Sequence, residues 1–182
     1  DQLRHRGPDA EGFHVQNEVG FGHRRLKIID LSGGQQPMFN EDRSLAITFN
    51  GEIYNFQELR QQLQKHGHVF RTNSDTEVLV HGYEQWQTDL LPRLRGMFAF
   101  ALWDDRNKTL FIARDRMGKK PLYYFADEHA IIFGSELKSL LVDPAVPREI
   151  DPEALDAYFA LGYIPSPRTI FRQVFKLPPA SY

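Results

Sequence analysis

The run GMFAFALWD, Gly96 to Asp104, narrows the possible folds most. From Met97 to Trp103 it carries no polar side chain. A strand with one wet face alternates apolar and polar residues, whereas a continuous apolar run implies burial on both faces. Three shorter runs follow: TLFIAR, PLYYFA and AIIFG. They are separated by DDRNK, DRMGKK and DEH, which are turn chemistry, so the stretch reads as a strand meander. A sheet with two covered faces needs a layer on each side. This predicts layered α/β packing.

The first third reads as short strands between glycines: EGFHV, VGFGHRRLKII and SLAITF. Two helices are expected next. In the first, Phe56, Leu59 and Leu63 share a face, Asn55 stands at the N-cap with Glu58 three residues on, and Gly67 can end the helix. The second spans Thr76 to Trp86, with Ser74 or Asp75 as its cap. A short helix is expected from Ser135 in SELKSLLVD. Another follows Asp151-Pro152 and ends near Gly162. The proline-rich tail ends in FKLPPASY.

Composition excludes several classes. The 182 residues suffice for a real core. A net charge of -2 gives no electrostatic reason for a nucleic-acid or membrane partner. There is no apolar run of membrane-spanning length and no visible leader, which favours a cytoplasmic protein. There is no cysteine, so disulfides, zinc-thiolate sites and a thiol nucleophile are excluded within these residues. The seven histidines show no metal spacing. His66 and His68 merely flank a glycine, and no metal site is expected.

Three places could carry chemistry. In AITFNGEIYN, Asn50-Gly51 ends an apolar run, yet a helical pattern follows instead of a second hairpin strand. A side-chain amide beside an unshielded backbone N–H can stabilise an oxyanion, although a simple turn also explains the pair. Arg24 and Arg25 stand at a strand end, where a guanidinium can grip a carboxylate or simply face water. Asp75, in TNSDTEV, can cap a helix or hold an ammonium group. Each signal taken alone leaves both readings open.

As an ordered set the motifs are far more specific. RHRGPD (4–9), GHRRLKIIDLSGGQQP (22–37), FNGEIYN (49–55), TNSDTEV (72–78), GMFAFALWD (96–104), RDRMGKKPLYY (114–124) and FGSELKSL (133–140) resemble the glutaminase domain of glutamine-hydrolysing asparagine synthetases. That resemblance implies a class II glutamine amidotransferase. Its fold is a four-layer αββα sandwich of the N-terminal-nucleophile hydrolase type, with antiparallel sheets. The ligand would be L-glutamine. Arg25 would bind its α-carboxylate and Asp75 its α-ammonium. The backbone around Ile28 and Ile29 would line the pocket, Glu52 would lie beside the amino-acid end, and Asn50 and Gly51 would form the oxyanion hole.

The resemblance also implies no cofactor in this domain. ATP and Mg belong to a C-terminal synthetase domain of the same polypeptide, and a homodimer is compatible with it. Residues 1–146 would be the glutaminase domain, and residues 147–182 a linker and the beginning of the synthetase domain. Two departures stand out. The family's N-terminal cysteine is not in the chain, and neither is the strand that precedes RHRGPD. The 182 residues are therefore expected to be inactive alone, as a truncated piece of an active enzyme. A second reading makes the chain a non-catalytic docking domain, as in the related β-lactam synthetases.

Overall fold

The computed structural model describes residues 2–26, 30 and 33–182. They form two compact units, Leu3–Ile112 and Ala113–Tyr182. The first unit contains β1 (Ala10–Gln16), β2 (Val19–Arg25), β3 (Met38–Phe39), β4 (Leu45–Ile53), α1 (Phe56–Lys65), α2 (Thr76–Trp86), a 3-10 helix (Gln87–Arg93) and β5 (Gly96–Asp104). β6 (Thr109–Arg114) carries the chain into the second unit. β1 and β2 form an antiparallel pair, and the order in the larger sheet is β3-β4-β5-β6.

Register assigns the faces of the larger sheet. Ile47 stands opposite Leu102, Phe49 opposite Phe100 and Gly51 opposite Phe98. Directly opposed residues share a face, so this one is apolar. Phe100 meets Phe111 edge-on at 5.4 Å, and Tyr83 of α2 stacks on Phe111 at 5.6 Å, so α2 covers that face. The alternate residues Ala46, Thr48, Asn50 and Glu52 oppose Trp103, Ala101, Ala99 and Met97 on the other side. There Thr48 Oγ1 lies 3.1 Å from His23 Nδ1 of β2, so the β1-β2 pair covers the second face. The first unit is thus layered helix, sheet, sheet. β5 is buried on both faces, as its apolar run predicts: Ala99, Phe100, Ala101 and Leu102 are at most 3% exposed.

β4 is longer than SLAITF suggests. It runs on through Asn50 and Gly51 to Ile53, which pairs with Gly96. The Asn-Gly pair is therefore inside a strand, neither a turn nor a strand end. Two glycines permit this. A Cβ on Gly51 would strike the Met97 carbonyl, and one on Gly96 would strike the Glu52 carbonyl. Glycine at position 51 is thus demanded by the neighbouring strand, whatever approaches from outside.

α1 ends as its sequence predicts. Gly67 adopts φ +94°, its N–H donates to Gln64 O at 3.0 Å, and the His68 N–H donates to Leu63 O at 3.1 Å. These two bonds close the helix as a Schellman motif. Its start differs from expectation, because the Asn55 side chain does not cap the helix. The amide instead donates to Arg93 O at 3.0 Å and accepts from Arg95 N–H at 2.9 Å. It satisfies two backbone groups in the turn into β5, a contact 40 residues away that no local pattern announces.

The second unit holds β7 (Tyr123–Ala126), β8 (Ile131–Gly134), α3 (Leu137–Leu140), α4 (Pro152–Leu161) and β9 (Val174–Lys176), with strand order β8-β7-β9. The expected meander is thereby split between two sheets. The break lies in DRMGKK. Asp115, only 1% exposed, accepts backbone N–H bonds from Met117, Lys119 and Lys120 at 3.0–3.1 Å. That loop is an internally bonded structure and not the solvated turn its composition suggests. Phe125, Leu140, Val146 and Val174 form the local core, so the tail's β9 is built into it. α3 is a single turn, shorter than SELKSLLVD suggests. α4 follows its signals: Asp151 Oδ1 accepts from Glu153 N–H at 3.0 Å, and Gly162 closes the helix at φ +76°.

The close approach of β4 and β5 is testable away from the candidate site. Gly96→Ala forces a methyl group into a backbone carbonyl that its own ladder holds in place. Overpacking of this kind costs about 1–3 kcal/mol. Urea unfolding monitored by circular dichroism should show that loss, and an unchanged midpoint would refute the packing described.

Candidate active site

β4 presents an edge as well as a face. The Tyr54 N–H donates to Arg95 O at 2.7 Å, and Asp105 N–H to Ser44 O at 2.9 Å. Antiparallel ladders alternate, so the even-numbered residues of β4 bond β5 and the odd-numbered ones turn their N–H and C=O away. β3 is only two residues long and pairs with Ala46 and Ile47. Beyond it, the outward groups of Phe49, Gly51 and Ile53 need other partners. Gln36 clamps Phe49 from both sides: Phe49 N–H donates to Gln36 Oε1 at 2.7 Å, and Gln36 Nε2 donates to Phe49 O at 3.1 Å. Ile53 N–H donates to Asp75 Oδ2 at 3.0 Å. The Gly51 N–H projects from the same edge between these two anchors. The Asn50 side chain rises from the adjoining face, opposite the small Ala99. Asn50, Gly51 and Glu52 are half-buried.

Asp75 occupies the N-cap position of α2, but its side chain makes no cap bond. Ser74 caps instead, accepting the Thr76 N–H at 3.2 Å on its hydroxyl. Asp75 is thereby left to reach β4. It is 5% exposed, and burial raises its pKa above the usual carboxylate value. The Ile53 N–H works against that rise, and the nearby charge of Glu52 adds to it. The loop ahead of Asp75 is fixed by Glu77, which accepts the N–H groups of Arg71 and Thr72 at 2.7 and 2.8 Å.

Arg25 ends β2 and is 7% exposed. Its Nη2 donates to Asp30 O at 2.6 Å. Gly34 lets the guanidinium in: a Cβ there would collide with it and stand 3.3 Å from Ser74 Oγ. The Arg25 side chain is therefore adjacent to the loop that carries Asp75. Asp30 joins the pieces, accepting Gly33 N–H on one oxygen and Asn73 N–H on the other, both at 2.8 Å. His23, two residues before Arg25, is lowered to about 4 by burial and then by the Arg25 charge, so it is neutral at physiological pH.

The structure thus gathers Arg25, Asn50, Gly51, Glu52 and Asp75 in one region. Ile28 and Ile29 lie outside the described residues. Sequence reasoning missed Asp30, Gly34 and Gln36. Asp30 had a signal, since an Asp ahead of Gly-Gly is turn chemistry. The Gln36 clamp spans 13 residues and leaves no local trace. A buried cation, a buried anion and a polar strand edge can bind a zwitterion by its two charged ends. Its remaining polar group would then meet the Asn50 amide and the Gly51 N–H.

A site of this kind, on antiparallel sheets covered by helices, defines a class before it defines a protein. A profile of the glutamine amidotransferase domain matches residues 1–182, and the chain belongs to that family. Within it, the chain is similar to the glutaminase domains of asparagine synthetases. It is 46% identical over 177 residues to glutamine-hydrolysing asparagine synthetase 1 of Bacillus subtilis, covering 97% of this chain and 28% of that protein. It is 42% identical over 184 residues to synthetase 3 of the same organism, covering 99% and 30%. Synthetase 3 of Arabidopsis thaliana is 46% identical over 143 residues, covering 78% and 24%. The chain therefore spans less than a third of the length of these relatives. Among solved structures, glutamine phosphoribosylpyrophosphate amidotransferase of B. subtilis is 29% identical with a TM-score of 0.56, covering 68% of this chain and 29% of that one. The N-terminal-nucleophile hydrolase fold expected from the sequence agrees with this likeness and with the antiparallel sheets.

The buried Asp75 sets a test with a definite sign. Its native pKa lies above the value near 3.8 of a free side chain, so it contributes most below that value. The contribution is lost as the pH rises from the unfolded value through the raised native one. Asp75→Asn removes the buried charge. It should unfold at the same temperature as the parent near pH 3 and at a higher temperature at pH 7. Melting curves at the two pH values check this.

Proposed function

We propose that this domain binds L-glutamine and, in the longer polypeptide, releases ammonia from it for an ATP-dependent asparagine synthetase. The overall reaction is aspartate, ATP and glutamine to asparagine, AMP, pyrophosphate and glutamate. One observation carries the reading: a buried arginine and a buried aspartate flank an outward strand edge in a chain of the glutamine amidotransferase family. Arg25 would pair with the α-carboxylate and Asp75 with the α-ammonium, with Glu52 and the backbone near Ile28 and Ile29 beside them. The raised pKa of Asp75 fits a carboxylate whose counter-charge arrives with the ligand.

In the hydrolysis a thiolate attacks the side-chain carbonyl carbon of glutamine, and the carbonyl electron pair moves onto oxygen. Asn50 and the Gly51 N–H would hold that oxyanion. Collapse of the adduct, with protonation of the leaving nitrogen, expels ammonia and leaves a thioester that water cleaves to glutamate. These 182 residues contain no cysteine, so the attacking sulfur is not among them. ATP and Mg belong to the synthetase portion of the proposed polypeptide. A cytoplasmic setting and a homodimer belong to the same proposal. No helix among the described residues is long and apolar enough to cross a membrane.

Two substitutions in the full-length polypeptide separate binding from chemistry. Arg25→Ala should raise the glutamine KM by at least about tenfold, the loss of one charge-assisted contact. It should leave synthesis from free ammonia intact. Equal loss of both activities would reject the pocket assignment. Asn50→Ala should lower kcat for glutamine hydrolysis by about 100- to 1000-fold with little change in KM, the usual result of removing one oxyanion donor. Steady-state assays of glutamate release measure both.

A further inference from the structure

Outside that region, one set of metal-ligating side chains converges among the described residues. His68 follows the closing turn of α1, and His81 and Glu84 lie on α2. One ligand atom from each lies within 4.8 Å of the others. His81 and Glu84 are three residues apart on the helix and so share a face. His68 is held by the Schellman turn, since its own N–H donates to Leu63 O. The cluster is therefore built by the packing of α1 against α2, and the spacing of His66 and His68 gives no hint of it.

The outer atoms of all three side chains face polar groups. His68 Nε2 lies 3.2 Å from Gln85 Oε1, an acceptor, so in a neutral ring that nitrogen carries the hydrogen and Nδ1 the lone pair. That lone pair faces Glu84 Oε2 at 3.6 Å. His81 Nε2 faces Glu77 Oε1 at 3.7 Å and Glu41 Oε1 at 3.9 Å, while its Nδ1 lies 2.9 Å from the same Glu84 Oε2. Glu84 Oε1 accepts from Asn40 Nδ2 at 2.8 Å. Phe70 packs edge-on against the His81 ring at 4.8 Å, giving the cluster an apolar wall.

Glu84 Oε2 thus faces a ring nitrogen of each histidine, while carboxylates and amides stand behind the three side chains. This is the outer arrangement that metal-binding histidines ordinarily have. A proton on His81 Nδ1 serves one of the two contacts to Glu84 Oε2, whereas a divalent ion would serve both. Zinc bonded to nitrogen and oxygen at about 2.0–2.2 Å puts neighbouring ligand atoms roughly 3.3 Å apart. The two distances to Glu84 Oε2, 2.9 and 3.6 Å, bracket that edge, and the third, between the imidazole nitrogens, is within 4.8 Å.

We propose that His68, His81 and Glu84 bind a divalent cation of the zinc class through two imidazole nitrogens and one carboxylate oxygen. The mixed nitrogen and oxygen donors select against magnesium and calcium, which prefer oxygen alone. His81 is 2% exposed and His68 and Glu84 are half-buried, so the cluster reaches the surface through those two residues. The ion would cross-link the segment after α1 to the middle of α2. It would do so beside Glu77, which fixes the loop at Arg71 and Thr72. The proposal stands independently of the glutamine reading.

The test uses the full-length polypeptide, freed of metal with a chelator and titrated with Co²⁺ as a visible probe and then with Zn²⁺. Wild type should take up one equivalent that both His68→Ala and Glu84→Gln abolish or weaken at least tenfold. The Co²⁺ complex should absorb in the visible, and Zn²⁺ should displace it. His68 lies in a loop and Glu84→Gln keeps the shape of the side chain, so thermal melting should find both variants folded. Comparing wild type with the variants cancels any divalent site elsewhere in the polypeptide. No saturable uptake by wild type would mean a proton occupies the cluster and would overturn the proposal, as would equal uptake by wild type and both folded variants.

Discussion

The antiparallel ladder between β4 and β5 is the interaction on which the rest depends. It runs unbroken from Leu45 opposite Asp104 to Ile53 opposite Gly96. By consuming the backbone groups of the even-numbered residues of β4, it forces the odd-numbered ones outward. A buried strand cannot leave such groups unserved. β3 serves the first of them, Gln36 serves Phe49, and Asp75 serves Ile53. The same ladder divides the side chains. The apolar set meets α2, while Thr48, Asn50 and Glu52 rise on the side where alanines leave room. A polar strip inside an otherwise buried sheet follows from register alone.

The region around that strip is expensive to maintain. Arg25 and Asp75 are both nearly inaccessible, and burial disfavours the ionised form of the carboxylate. Stability alone would favour neutral residues in such places. The surrounding structure nonetheless holds both in position: Asp30 takes the guanidinium, Gly34 makes room for it, and Ser74 relieves Asp75 of capping duty. Structure that holds an unfavourable charge in place is characteristic of a site built for a charged ligand.

Much of the local structure was legible in the sequence. Both ends of α2, the Gly67 closure of α1 and the Asp151-Pro152 start of α4 followed the expected residues, because caps are contacts between near neighbours. The two-sided burial of β5 was readable from its apolar run. The misreadings share a cause. Asn55 and Asp75 have the right identity and position for capping, yet each spends its side chain on a backbone group more than 20 residues away. The extension of β4 through Asn50-Gly51 and the division of the meander between two sheets also depend on distant partners.

The sequence by itself determined the family, the boundaries of α1, α2 and α4, the apolar strand of the central sheet and the short list of charged and amide residues around which the candidate site is built. These reside in residue identity and in spacing over a few positions. Tertiary structure alone decided that Asp75 would face β4, that Gly51 would project from a clamped strand edge, that Gln36 and Asp30 would hold the region together, and that His68 would meet His81 and Glu84. Each of these depends on where a strand's unpaired N–H points or on which two helices touch. Both are fixed only when the whole ladder and its covering layers form together.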